Sequence, residues 1–259
     1  MGPKIDVYDD YAARYAEDVA RREGAGVGDP LGILPRLLDI LGDVAGLTAL
    51  DAGCGEGYLA RILAGRRAKV TGIDISPRLI QLAREKDPEG AIEYRAADLS
   101  APLPDYERHF DAIASYLVLN DVYDYRGFIA TLGASLKPRG RLVVALNNPY
   151  SYVVRKHVPD YFDSGAAYPY RGMAEEGLKV HFYQRALEEY LDAFLGCGLR
   201  LTKLADLPTV VNNAHKPRID TLLPEGYRFP YFMVLGFVKP SEQGGGTGNL
   251  QGRSVMGLA

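Results

Sequence analysis

Between Thr48 and Asn147 the chain alternates short apolar segments with helical patterns, and this alternation restricts the fold more than any other feature. The β-prone segments are Thr48 to Ala52, Lys69 to Asp74, Ile92 to Ala96, Phe110 to Tyr116 and Arg141 to Asn147. Helical stretches at Gly57 to Ala64, Pro77 to Arg84 and Arg126 to Leu136 separate most of them. Strands alternating with crossover helices require a parallel sheet covered on both faces. Lys137-Pro138-Arg139-Gly140 reads as a helix stop and turn ahead of the fifth strand. Two more apolar runs, Leu199 to Ala205 and Tyr231 to Val238, add final strands with at least one antiparallel pairing. The predicted fold is α/β, a doubly wound, mostly parallel seven-stranded sheet whose final strand is antiparallel.

Helices flank this core. Tyr8, Tyr11, Ala12, Tyr15 and Val19 recur at helical spacing, so Tyr8 to Arg22 reads as an amphipathic helix; a glycine-rich break and a second helix, Leu31 to Leu41, follow. After Asn148 the pattern changes. Pro149 to Gly177 is rich in Tyr, Pro and Gly with no clean period, and separates the fifth strand from a helix at Ala186 to Leu195. Long irregular stretches inside compact domains are more often functional lids than connectors. We therefore expect one domain over 1–240 with a substrate-facing lid insertion at about 148–180, and a flexible, glycine-rich tail over 241–259.

With 30 basic and 33 acidic residues and no Lys/Arg block, nothing in the chain advertises a polyanion, so no nucleic-acid partner is expected. No apolar run approaches the roughly 20 residues that span a bilayer, and the N-terminus has no secretory apolar core. The two cysteines, Cys54 and Cys197, show no metal-ligand spacing, which fits a reducing cytoplasm and no metal site. The expectation is a soluble protein without a membrane partner; its oligomeric state stays open.

The segment Leu50-Asp51-Ala52-Gly53-Cys54-Gly55-Glu56-Gly57-Tyr58 ends an apolar strand and opens a helix, with glycine at every second position. Glycine removes the Cβ that blocks close approach and tolerates positive φ, and amides at the start of the next helix can hold a carboxylate. Thr71-Gly72-Ile73-Asp74-Ile75 then ends the next strand in an acid able to accept hydrogen bonds from both hydroxyls of a ribose. The dinucleotide fingerprint G-x-G-x-x-G is the rival for this layout. Here the third glycine, Gly57, comes one position early, Tyr58 occupies the place that fingerprint reserves for Gly, and Asp51 precedes the loop; these departures point to S-adenosylmethionine.

The sequence at this point resembles the Rossmann-like class I S-adenosylmethionine-dependent methyltransferases, in their small-molecule branch of ubiquinone, menaquinone and natural-product enzymes. The resemblance rests on Asp51, Gly53, Gly55 and Gly57, then Asp74, Asp98-Leu99, Phe110-Asp111, Leu119-Asn120-Asp121-Val122 and Leu136 to Gly140. It implies that Asp51, Gly53, Gly55, Asp74 and Ile75 surround the cofactor. By the same resemblance Asp98 and Leu99 meet the adenine, Asp98 through the exocyclic amine, and Tyr116 lies beside the methionine portion. In some relatives an N-terminal tyrosine closes over the cofactor; Tyr15, Tyr11 or Tyr8 is placed to do so, with helix packing as the competing reading. For Asp98 the competing reading is a helix cap, and Cys54 reads as a small packing residue. The implied cofactor is S-adenosylmethionine, with S-adenosylhomocysteine as product.

A methyl carbon on a sulfonium is already electrophilic, so positioning supplies much of the rate, roughly 7 to 11 kcal/mol, and a base is optional. His181, where the chain re-enters the core, and His157, in the lid, are the candidate bases; His109 and His215 read as solvated. Related enzymes often carry a Tyr-His-Arg run after the lid, where this chain has Tyr183-Gln184-Arg185. Asn120 and Tyr116 follow the fourth strand at its carboxyl end, where open α/β sheets place ligands, so Asn120 is a candidate on the acceptor side. Asn147-Asn148-Pro149-Tyr150 resembles the signature of enzymes that methylate exocyclic amines of bases, but it follows the wrong strand and reads as turn chemistry. The lid tyrosines either wall an aromatic acceptor or wrap a small core of the lid's own. The reading is methyl transfer to a small-molecule acceptor, an oxygen nucleophile being favoured on family breadth alone. A cyclisation or rearrangement enzyme, or a non-catalytic binder of the same cofactor, is the alternative.

Overall fold

The computed structural model describes residues 32–154, 158–169, 181–208 and 229–241, together with Asp9 and Ala12. The expected N-terminal helix, Tyr15, His157, His215 and nearly all of the tail lie outside the described residues.

In chain order the elements are α1 (Ile33–Leu41), β1 (Thr48–Ala52), α2 (Tyr58–Gly65), β2 (Lys69–Asp74), α3 (Pro77–Glu85), β3 (Glu93–Ala96) and β4 (Phe110–Tyr116). They continue with α4 (Tyr125–Ser135), β5 (Leu136–Asn147), α5 (Pro149–Val154), β6 (Ala167–Pro169), β7 (His181–Tyr183), α6 (Leu187–Gly196), β8 (Arg200–Pro208) and β9 (Pro230–Val238). Seven strands form one sheet in the order β3-β2-β1-β4-β5-β9-β8. The first five are parallel, and β9 runs antiparallel to both β5 and β8. The strand order reverses between β1 and β4, which opens a crevice at their carboxyl ends.

Successive side chains of a strand point to opposite faces, and both faces here are covered, which is why the strands read as continuous apolar runs. Leu50, Ala52, Ile113, Leu142 and Val144 pack with Phe128, Ile129 and Leu132 of α4 and Tyr190 and Phe194 of α6. The alternate residues, Ala49, Ala112, Ala114, Val143 and Ala145, pack with α1, α2 and Ile80 and Ala83 of α3.

The helix starts follow local chemistry. Ser76 caps α3, its Oγ accepting the Leu79 amide at 3.1 Å, with Pro77 at the first helical position. Asp124 caps α4 by accepting the Gly127 amide at 2.9 Å. Glu189 reaches back from α6 to accept the Ala186 amide at 2.9 Å.

Two expectations need correction. Lys137 to Gly140 do not precede the fifth strand: Phe110 already pairs with Leu136, and the register then jumps so that Ala112 faces Arg141. The intervening residues bulge, with Arg139 at φ 65° and its amide donating to the Lys239 carbonyl at 2.8 Å. Nor is the stretch after Asn148 irregular throughout. It opens with α5 and holds a separate antiparallel hairpin, in which Tyr168 faces Phe182. Tyr152 stacks on Phe182 at 4.0 Å and Val158 joins them, so these residues close a small core of their own.

Candidate functional site

A cavity of about 450 Å³ opens where the carboxyl ends of β1 to β4 meet. Its wall includes Gly53 and Gly55 after β1, Asp74 and Ile75 ending β2, Asp98 and Leu99 after β3, and Tyr116 ending β4. These seven sequence-selected residues therefore share one cavity.

The loop is built to stay open. Gly53, Gly55 and Gly57 all have positive φ, at 78°, 55° and 85°. A Cβ on Gly53 would fall 2.5 Å from Val118 Cγ2, so the β1 loop and the segment after β4 touch only because position 53 has no side chain. Beneath the loop, the ring of Tyr94 occupies the space a side chain on Gly57 or Gly72 would need. Burial pushes the Tyr94 phenol up, and its hydroxyl has no hydrogen-bond partner. Glu56 is buried and anchors the loop through Lys86 at 2.6 Å and Arg61 at 3.2 Å. Burial also pushes the Cys54 thiol well up, as a packing cysteine requires.

Asp74 is fixed before any ligand arrives. Its Oδ2 accepts the Gly55 amide at 2.9 Å and its Oδ1 the Ser76 amide at 3.0 Å. Burial nonetheless pushes its carboxyl above the usual range. Ser76 Oγ donates to Asp9, which places that carboxylate beside the end of β2. Asp98 is exposed at the cavity wall, and its Oδ1 accepts the Ser100 amide at 2.8 Å.

Other selected residues sit elsewhere. Asp51 is buried beneath the loop and is not on the cavity wall; burial, reinforced by the nearby charges of Asp74 and Glu56, pushes its carboxyl up to about 8. One of its oxygens, Oδ2, has no hydrogen-bond partner. Asn120 is buried and off the wall, because both ends of its amide engage the main chain of Asn147. His181 is an exposed residue of β7 and does not line the cavity either. Gln184 is fully buried, with Nε2 donating to the Tyr161 carbonyl at 2.9 Å. His109 is exposed, in edge contact with Tyr106 and Phe110, and Asp111 faces Thr48 and Lys137 at the opposite end of the sheet.

Sequence reasoning missed Tyr123, Asp124 and Phe128, which topology brings to the wall. The legible signal was Asp124 directly ahead of a helix, where an N-cap belongs. With Asp74, Asp98 and Asp121 it makes four carboxylates around the cavity, and no lysine, arginine or histidine is on its wall among the described residues.

The sheet order and the glycine loop after β1 match the Rossmann-like fold of S-adenosylmethionine-dependent methyltransferases. Residues 50–144 match the family model described as a methyltransferase domain. Over 116 residues the chain is 40% identical to demethylmenaquinone methyltransferase of Tropheryma whipplei strain Twist, covering 44% of this chain and 48% of that one. Over 105 residues it is 41% identical to a ubiquinone biosynthesis O-methyltransferase of Methylocella silvestris, covering 40% of this chain and 41% of that one. The chain thus spans just under half the length of these curated relatives. Among solved structures it is similar to an S-adenosylmethionine-dependent methyltransferase of Mesorhizobium loti, with TM-score 0.64, 24% identity and coverage of 79% of this chain and 96% of that one. A Methanosarcina mazei structure of the same description gives TM-score 0.61, 20% identity and coverage of 80% and 98%; both show the shared fold. Among the described residues no helix is long and apolar enough to cross a membrane.

Proposed function

We propose that the chain transfers a methyl group from S-adenosylmethionine to an oxygen atom of a small organic acceptor. The observation that carries the reading is the glycine loop tied to Asp74, at 2.9 Å from the Gly55 amide, in a cavity ringed by carboxylates. Such a ring attracts a cationic ligand and opposes the pyrophosphate of a dinucleotide. The residues fit the cofactor: Gly53 and Gly55 bring the β1 loop to the cavity wall, Asp74 has lone pairs left for the ribose hydroxyls, and Leu99 and Phe128 offer apolar walls to a base. The bare oxygen of Asp51 lies below the loop, where a ligand ammonium or a bridging water satisfies it.

When bound, the sulfonium supplies an electrophilic methyl group. What remains for this chain is to hold the acceptor in line and exclude water. No histidine lines the cavity among the described residues, so an acceptor whose own oxygen ionises readily, such as a phenol or enol, demands least from the protein. That the Methylocella silvestris relative is an O-methyltransferase of ubiquinone biosynthesis supports oxygen, and the quinones named for both relatives support a ring-bearing acceptor.

The test is isothermal titration with S-adenosylmethionine and S-adenosylhomocysteine, followed by a phenol panel assayed for S-adenosylhomocysteine release. Micromolar binding that collapses in Asp74→Ala is the expected result. No heat with either ligand from folded wild-type protein would sink the proposal.

A further inference from the structure

Among the described residues, Arg185 carries the least solvated cation near the site: the residue is only 3% exposed. A buried charge normally requires a carboxylate partner. Arg185 makes no ion pair among the described residues. It lies over the ring of Tyr125 at 4.4 Å and that of Tyr183 at 5.0 Å, and donates through Nη2 to the Tyr123 carbonyl at 2.6 Å. Its Nη1 is buried without a hydrogen-bond acceptor. Two aromatic faces, the Tyr123 carbonyl and the neighbouring phenol of buried Tyr190 thus surround the charge.

Those partners belong to different parts of the molecule. Tyr183 ends β7, the hairpin strand that touches the Leu119–Asp121 turn after β4. Tyr125 opens α4, and Tyr123 is on the cavity wall. The ring of Tyr123 also meets Tyr183 edge-on at 5.5 Å. Arg185 therefore fastens the hairpin to the cavity rim through a residue that faces the ligand space.

We propose that Arg185 is a positioning residue that couples occupancy of the cofactor cavity to the β6–β7 hairpin through Tyr123. A ligand that fixes Tyr123 fixes the carbonyl Arg185 holds, and with it the strand carrying Tyr183. The inference rests on the cofactor reading given above. It places the acceptor side of the site under the control of a side chain that touches neither cofactor nor acceptor.

Hydrogen exchange followed by mass spectrometry, with and without saturating S-adenosylhomocysteine, reads the coupling directly. In wild type, the amides of 181–184 are expected to slow by about threefold or more on saturation, in step with those of 121–124. In Arg185→Met, and in Arg185→Lys, which keeps charge but loses the planar fork, slowing at 121–124 should persist while that at 181–184 is lost. Tyr183→Leu, which spares the arginine, should give the same uncoupling if the Arg185 variants fail to fold. Equal exchange at 181–184 with and without ligand in wild type that binds S-adenosylhomocysteine calorimetrically would overturn the inference alone. Unchanged coupling in the folded variants would do the same. Absence of binding by wild type would overturn the cofactor reading and the inference with it.

Discussion

Asn120 grips the main chain of Asn147 from both sides, its Oδ1 accepting the amide at 2.9 Å and its Nδ2 donating to the carbonyl at 3.3 Å. The pair works as an extra rung of sheet, made by a side chain, that ties the turn after β4 to the end of β5. A group engaged in this way is poorly placed to carry a proton for an acceptor. Asn120→Ala should destabilise the fold by about 1–3 kcal/mol, because two backbone groups at a half-buried strand end lose a partner. Urea unfolding checks the value. Asn120→Asp should do no better, since a carboxylate accepts from the amide but cannot donate to the carbonyl.

The meeting of Gly53 and Val118 gives a second prediction. Gly53→Ala places a methyl against Val118 and holds a residue with a Cβ at φ 78°, which costs about 1–2 kcal/mol for the left-handed backbone alone. Adding Val118→Ala should recover the overlap part of the loss and leave the backbone part. Thermal melts of the single and double variants separate the two.

Asp51 makes stability depend on pH in a direction opposite to that of a salt-bridged carboxylate. Its folded value of about 8 lies above the ordinary 3.8, so the native state binds the proton more tightly than the unfolded chain. The contribution is fully present below 3.8 and is lost as pH rises towards 8. Asp74, also raised by burial, adds in the same sense. Without ligand, wild-type stability should fall across that window more steeply than that of Asp51→Asn; denaturant midpoints in a pH series test this.

Glu56 answers two cations from a buried position, at 2.6 Å to Lys86 and 3.2 Å to Arg61. Glu56→Gln keeps the shape and removes the charge. The expected cost is about 3 kcal/mol, since removing one partner of a buried pair leaves the others uncompensated. Cofactor affinity measured calorimetrically should fall as well, because the carboxylate anchors the residue between Gly55 and Gly57.

The sheet was readable from sequence where both faces of a strand are buried: β1, β2 and β4 run where their apolar segments do. The start of β5 was not, because Pro138 and Gly140 signal a turn, and only the pairing of Phe110 with Leu136 shows that the strand had already begun. The hairpin after α5 escaped notice because it depends on Tyr152 and Phe182, distant in sequence, finding each other. In the site, spacing carried the glycine loop and the acid ending β2. Spacing did not show that Asp51 and Asn120 lie off the cavity wall, since whether a polar side chain faces a cavity or a neighbouring backbone is decided in three dimensions. Tyr123 and Phe128 carry no local signal of their own.

Tyr94, under the loop, makes positions 57 and 72 depend on a third. Its ring fills what two side chains would need, so glycine at both positions is the counterpart of one large phenol in β3. The three form a single unit of mutational tolerance. A library that varies position 57 or 72 alone should return glycine, whereas one that also shrinks both Tyr94 and Cys54 should admit alanine at position 72, where φ is not left-handed. At position 57 it should still return glycine, the backbone there keeping the constraint that the ring no longer imposes.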